Sequence, residues 1–138
     1  MRVLDANFLI DYLNGKPAAK RFYEAKGGDR EVWIAPAPAY AETLVGVGNL
    51  PGASVEEAVD ALSWTEVYAV DEGASEEAGY VAEEIGSEGP FLDGVDAVVA
   101  AVGRELDAPV VSADGDLTHE ETRRVVEVED YRTADGGE

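Results

Sequence analysis

The chain has 138 residues, a length at which one domain buries a working core and two do not. Hydrophobic residues make up 46% and aromatics 8%, values of a folded protein rather than a disordered one. Thirty acidic residues against ten basic ones give a formal charge of −20, which excludes a basic nucleic-acid module of the common kind, and the absence of cysteine excludes disulfides, thiolate zinc sites and cysteine nucleophiles.

Strand and helix alternate along the chain. Arg2 to Leu4 predicts a short strand ending at Asp5, after which Phe8, Leu9, Tyr12 and Leu13 fall at helical spacing until Asn14-Gly15 stops the helix. Pro17 suits the first turn of a second helix, which runs through Phe22 and Tyr23 to Gly27-Gly28. Val32 to Ala35 predicts the second strand, and Pro38 to Val47 a helix that ends near Gly48. Ser54 and Glu57 form a capping box for the next helix. Thr65 to Val70 predicts the third strand, and Asp71 caps a helix from Glu72 to Ile85. Asp93 caps a helix whose Val95, Val98, Val99, Val102 and Leu106 form one apolar stripe. Pro109 to Ser112 predicts a fourth strand and Arg124 to Val128 a fifth. Strands separated by helices imply a parallel sheet covered on both faces, in one domain over residues 1–132 with a flexible tail over 133–138.

The charge is unevenly spread. Lys16, Lys20, Arg21, Lys26 and Arg30 hold half of the basic residues against only Glu24 and Asp29, a local balance of +3, while the rest of the chain carries −23. A dense carboxylate shell with few lysines matches the habit of proteins from salt-in halophiles, where screening stops the shell from barring an anionic substrate at a distance. The alternative is an acidic protein that mimics nucleic acid or grips a basic partner. Asp5 comes too early for a secretory signal, and uncharged runs such as Thr43 to Val55 fall short of the ~18 residues of a membrane span, so the expected location is the cytoplasm, with no membrane partner.

In an open parallel sheet the functional crevice lies beyond the carboxyl ends of the strands, where the strand order reverses. Two predicted strands run straight into Asp5 and Asp114. Asp96 lies in the first turn of the valine-rich helix, and Glu42 within the helix after Pro38. Should these four carboxylates converge, their mutual repulsion demands a proton or a cation, and all-oxygen donors suit magnesium or manganese. Each also has a simpler reading: Asp5 as a helix cap, Asp114 and Asp116 as a turn, Asp96 as half of a capping pair with Asp93.

At these residues the sequence resembles the PIN-domain ribonucleases, and among them the VapC-type toxins of toxin–antitoxin pairs. Val3-Leu4-Asp5-Ala6-Asn7-Phe8-Leu9-Ile10 is similar to the opening motif of that family, Ala41-Glu42-Thr43-Leu44-Val45-Gly46 to its helical Glu-Leu motif, Asp96-Ala97-Val98-Val99-Ala100-Ala101 to its Asp-Ala-Leu-Ile-Ala-Ala pattern, and Val110 to Leu117 to a strand that ends in Thr-x-Asp. The resemblance implies a three-layer α/β/α, flavodoxin-like fold with a four- to five-stranded parallel sheet. It implies an endoribonuclease dependent on Mg2+ or Mn2+, leaving 5′-phosphate and 3′-hydroxyl ends, with frequent homodimers and a VapB-type antitoxin as partner. Carried over, Asp5, Glu42, Asp96 and Asp114 become the catalytic metal ligands, Asp116 a fifth, and Asn7 and Ser112 orient ligands or water, Ser112 standing where threonine is usual. The charge departs from relatives that carry more basic residues around the cleft.

Rival readings fail on single residues or remain as alternatives. A haloacid-dehalogenase-like phosphatase needs Asp at position 7, which is Asn, and a receiver domain needs a late lysine, whereas none follows Lys26. A non-catalytic PIN module that binds protein or RNA, or an RNA-processing PIN nuclease without an antitoxin, stays open. His119, the only histidine, follows the Asp114 loop as a general base or an inert surface residue; Trp33 and Trp64 read as core; the stretch from Lys16 to Arg30 reads as an RNA or antitoxin contact or as a solvated helix face.

Overall fold

A computed structural model describes residues 1–133; apart from Thr133, the predicted tail lies outside the described residues. The strands are β1 (Arg2–Leu4), β2 (Trp33–Pro36), β3 (Thr65–Tyr68), β4 (Val110–Ser112) and β5 (Val128–Asp130). The helices are α1 (Ala6–Leu13), α2 (Pro17–Ala25), α3 (Ala37–Gly48), α4 (Val55–Ala61), α5 (Glu72–Ile85), α6 (Gly94–Leu106) and α7 (Glu120–Arg123), with a 3-10 turn over Gly28–Arg30. The five strands form one wholly parallel sheet in the order β3-β2-β1-β4-β5. The chain therefore builds outward from β1 in one direction, then returns to place β4 and β5 on its other side. The order reverses between β1 and β4.

Local chemistry explains the boundaries. The side chains of Asp5, Ser54, Asp71 and Asp93 each accept a hydrogen bond from a backbone N–H three residues on, closing the first turns of α1, α4, α5 and α6. Pro17 opens α2 where its missing N–H costs nothing, and Gly27, at φ 118°, turns the chain away after it.

Alternation along the strands sorts the core into two layers. Val3 and Val110 face one side, with Val81 and Ile85 of α5 and Val99 and Val102 of α6. Leu4 and Val111 face the other, beneath Phe8 and Leu9 of α1 and Phe22 of α2. Trp33 is buried there, its indole N–H donating to the Gly28 carbonyl at 2.7 Å, and Trp64 packs half-buried against Tyr12, Tyr23 and Trp33.

The α6 stripe faces the core as its spacing predicts: Val99 and Val102 are fully buried, Val95, Val98 and Leu106 are half-buried and packed against them, and Ala97, Ala100, Ala101 and Gly103 are buried beside them. These small residues let α6 approach both α5 and the sheet: a Cβ on Gly103 would stand 2.8 Å from Val110 Cγ2 and 3.1 Å from the Ala108 carbonyl. The fifth strand begins at Val128 rather than Arg124, because the amides of Arg124, Val125 and Val126 bond back to Glu120 and Thr122 at the end of α7 and only Val128 pairs with Val110. Among the described residues no helix is long and apolar enough to cross a membrane.

Candidate active site

The pairing of Leu4 with Val111 places the next residues, Asp5 and Ser112, side by side where the strand order reverses. Asp5 is 1% exposed and cannot shed its neighbours. One carboxylate oxygen accepts from the Phe8 N–H at 2.8 Å, and the other accepts the Ser112 hydroxyl. Ser112 Oγ in turn accepts from the Asp114 N–H at 2.9 Å, so one hydroxyl joins the carboxylate ending β1 to the backbone that carries the carboxylate after β4. Asp114 Oδ1 accepts from the amides of Asp116 at 2.7 Å and Leu117 at 3.3 Å, which fixes its orientation in an Asx turn. The simple readings of Asp5 as cap and Asp114 as turn residue are thus correct.

Asp96 arrives from the first turn of α6, its N–H donating to Asp93 Oδ1 at 2.8 Å. Burial pushes its carboxyl from 3.8 up to about 7, reinforced by the negative charges of Asp93, Asp114, Asp5 and Glu42. Burial likewise raises Asp5 to about 6 against the opposing bonds from Ser112 and Phe8, with Asp114 and Asp11 adding to the rise. The charges of Asp5, Glu42 and Asp114 thus all act on Asp96, each carried by a different part of the fold.

The remaining calls divide. Glu42 is exposed on α3, and Asn7 is exposed on the first turn of α1. Asp116 is exposed, and Asp93, also exposed, exerts the largest charge effect on Asp96. His119 is exposed and its Nδ1 accepts the Glu121 N–H at 3.0 Å, which makes it the cap of α7. Asp11 was missed: its Oδ2 accepts from Tyr131 Oη at 2.5 Å and from Arg132 at 2.9 Å, tying the chain after β5 to α1.

The donor set fits a hard divalent cation. It is all oxygen and partly withdrawn from water, and burial holds the carboxyls of Asp5 and Asp96 up at about 6 and about 7. Among the described residues no three carboxylates or histidines already stand at metal-binding spacing, so the cluster is a convergence of charge rather than a closed cage.

A profile of the PIN domain matches residues 2–122, and the chain belongs to the PIN-domain family. Among solved structures it is similar to a toxin–antitoxin complex from Klebsiella pneumoniae, with 18% identity, TM-score 0.74, and 95% of this chain and 98% of that one covered. It is similar to FitAcB from Neisseria gonorrhoeae, with 16% identity, TM-score 0.76, and 96% and 99% covered. It is also similar to Mycobacterium tuberculosis VapC20, a Sarcin-Ricin loop cleaving toxin, with 21% identity, TM-score 0.68, and 87% and 95% covered. At these identities the likeness is one of fold. A search of the curated proteins found no match.

Proposed function

We propose that the chain is a divalent-metal-dependent endoribonuclease, the toxin of a VapBC-type pair, acting in the cytoplasm as a homodimer held in check by a VapB-type antitoxin. The observation that carries this reading is the convergence on Asp96 of carboxylate charge from β1, α3 and the turn after β4, at the point where the strand order reverses. Family membership and the fold shared with toxin–antitoxin proteins support it.

A Mg2+ or Mn2+ ion held by Asp5, Glu42, Asp96 and Asp114, with Asp93 or Asp116 beside them, would supply a lowered pKa for a water molecule and positive charge beside the scissile phosphate. The protein supplies orientation. Phe8 N–H and Ser112 Oγ fix both oxygens of Asp5, and the Asp116 and Leu117 amides fix Asp114. Asp96, whose carboxyl is raised to about 7, would give up its proton in favour of a cation that took its place as counter-charge. Water would attack the phosphodiester in line and the 3′ oxygen would leave with a proton, with no covalent enzyme intermediate, while Asn7, exposed on the first turn of α1, is open to ligand or water contact.

The test is cleavage of a single-stranded RNA by purified protein at high salt, with Mg2+, Mn2+ or EDTA. Asp96→Asn is expected to lower cleavage by at least about a hundredfold while the melting profile stays cooperative. Metal-independent cleavage, or full activity in the variant, would refute the assignment. RNA binding without cleavage by the unaltered protein would favour the non-catalytic PIN module instead.

A further inference from the structure

Among the described residues Phe91 is the most exposed large apolar side chain, at 91% against 61% for Val45 and 60% for Leu50, whereas Phe8, Phe22 and Trp33 are buried. The segment between α5 and α6 holds it out. Gly89 lies so close to Ile85 at the end of α5 and to Glu121 on α7 that a Cβ would not fit there. Pro90 fixes the φ that precedes Phe91, and Leu92 after it packs against the core between α5 and α6. Both flanking residues are half-buried, and the ring between them makes no aromatic or cation contact among the described residues. Phe91 stands two residues before Asp93, whose Oδ1 accepts the Asp96 N–H at 2.8 Å. Two trans peptide steps span at most about 7 Å, so the ring is rooted beside the turn of α6 that carries Asp96.

We propose that Phe91 stacks on an unpaired base of the RNA substrate, next to the phosphodiester that is cut, an inference that rests on the nuclease reading. The size of the feature selects a base as its occupant. A stable protein partner covers about 800 Å2 on each side, and Phe91 is alone in its segment, with Val45, Leu50, Val55 and Val59 belonging to α3, α4 and the turn between them. One free ring is what a single base requires. The charge of the chain points the same way. At −20 it has little to offer phosphates, and concentrated salt weakens the phosphate contacts it does make. Stacking needs no cation and is not screened. Every base has a π-face, so Phe91 holds the strand in place without choosing its sequence.

The test uses the full chain. In an Asp96→Asn background, affinity for a single-stranded RNA oligonucleotide is measured across a salt series with Phe91 unaltered, for Phe91→Leu and for Phe91→Trp. Phe91→Leu keeps an apolar side chain but has no ring face; it is expected to weaken binding about tenfold at every salt concentration, with the salt slope unchanged. Phe91→Trp is expected to bind at least as tightly as the unaltered chain, and its tryptophan emission to fall on RNA binding by more than that of the unaltered chain. With Asp96 restored, the loss in cleavage by Phe91→Leu should fall on KM. Unchanged affinity in Phe91→Leu overturns the proposal, as does a loss that Phe91→Trp fails to recover or one that comes with a shallower salt slope. A lower sedimenting mass of Phe91→Leu with RNA binding intact would overturn it too and give the ring to self-association. RNA bound through Phe91 but never cleaved by the unaltered chain would end the nuclease reading and leave the stacking standing, whereas cleavage with an unaltered KM in Phe91→Leu would end the stacking alone.

Discussion

Asp5→Asn offers a test of the carboxylate cluster that needs no substrate. Asn keeps the acceptor that caps α1, and Asp and Asn are equivalent caps. What it removes is a buried negative charge. The Asp5 carboxyl is raised from 3.8 to about 6 in the folded chain, so the folded state holds the proton more tightly than the unfolded state does. The contribution of this group to stability is therefore fully present below its unfolded value of 3.8 and is lost as the pH rises through about 6. The difference amounts to on the order of 3 kcal/mol above pH 7, and for a chain of this length that corresponds to roughly 10 °C in melting temperature. Metal-free Asp5→Asn should thus melt higher than the unaltered protein at pH 8, and the gap should vanish by pH 4. Added Mn2+ should raise the melting point of the unaltered protein more than that of the variant, since the cation relieves a repulsion the variant no longer has. Calorimetry at the two pH values with and without metal decides the matter. A variant no more stable at pH 8, or a gap that persists at pH 4, would refute the electrostatic account.

Two other substitutions probe what holds the site in place. Ser112→Ala removes the hydroxyl that bonds Asp5 and leaves the Asp114 N–H without its acceptor; it should cost about 1–3 kcal/mol in chemical denaturation and Ser112→Thr should restore most of it. Gly103→Ala puts a methyl group 2.8 Å from Val110 and should cost about 1–3 kcal/mol, shifting α6 and lowering the affinity for Mn2+ through Asp96, read by thermal melting and by metal titration.

Much of the fold could be read from the chain because its local signals agree. The caps at Ser54, Asp71 and Asp93 fall at the helix starts the apolar spacing predicts, and a proline at the start of α2 and a glycine after its end bound that helix. β5 was displaced because Val125, Val126 and Val128 look alike as a strand, and only the turn after α7 decides which amides are free to pair. The small residues of α6 escaped notice for a related reason. Period alone favours the valines, but close approach to α5 and the sheet selects Ala97, Ala101 and Gly103, a preference that depends on what lies opposite. In the site, Asp5 and Asp114 were legible because both end strands that the topology brings together. Asp11, Tyr131 and Arg132 were not, since their contact joins residues 120 and 121 positions apart and no local pattern announces it.

The acidity of the chain and the chemistry of its crevice bear on each other. At about 1 M salt the screening length falls to ~3 Å, so carboxylates on the outer surface act on an approaching RNA only at contact. The carboxylates of the crevice are different, because they are partly buried and salt does not reach between them; their repulsion survives screening and persists in the raised values of Asp5 and Asp96. A multivalent cation bound there would offset it where bulk monovalent salt would not. Over the surface as a whole the acids set solubility and long-range repulsion, while over the few ångströms that govern binding the field is set by which side chains the fold brings together, and at Asp96 those are the carboxylates of Asp93, Asp114, Asp5 and Glu42.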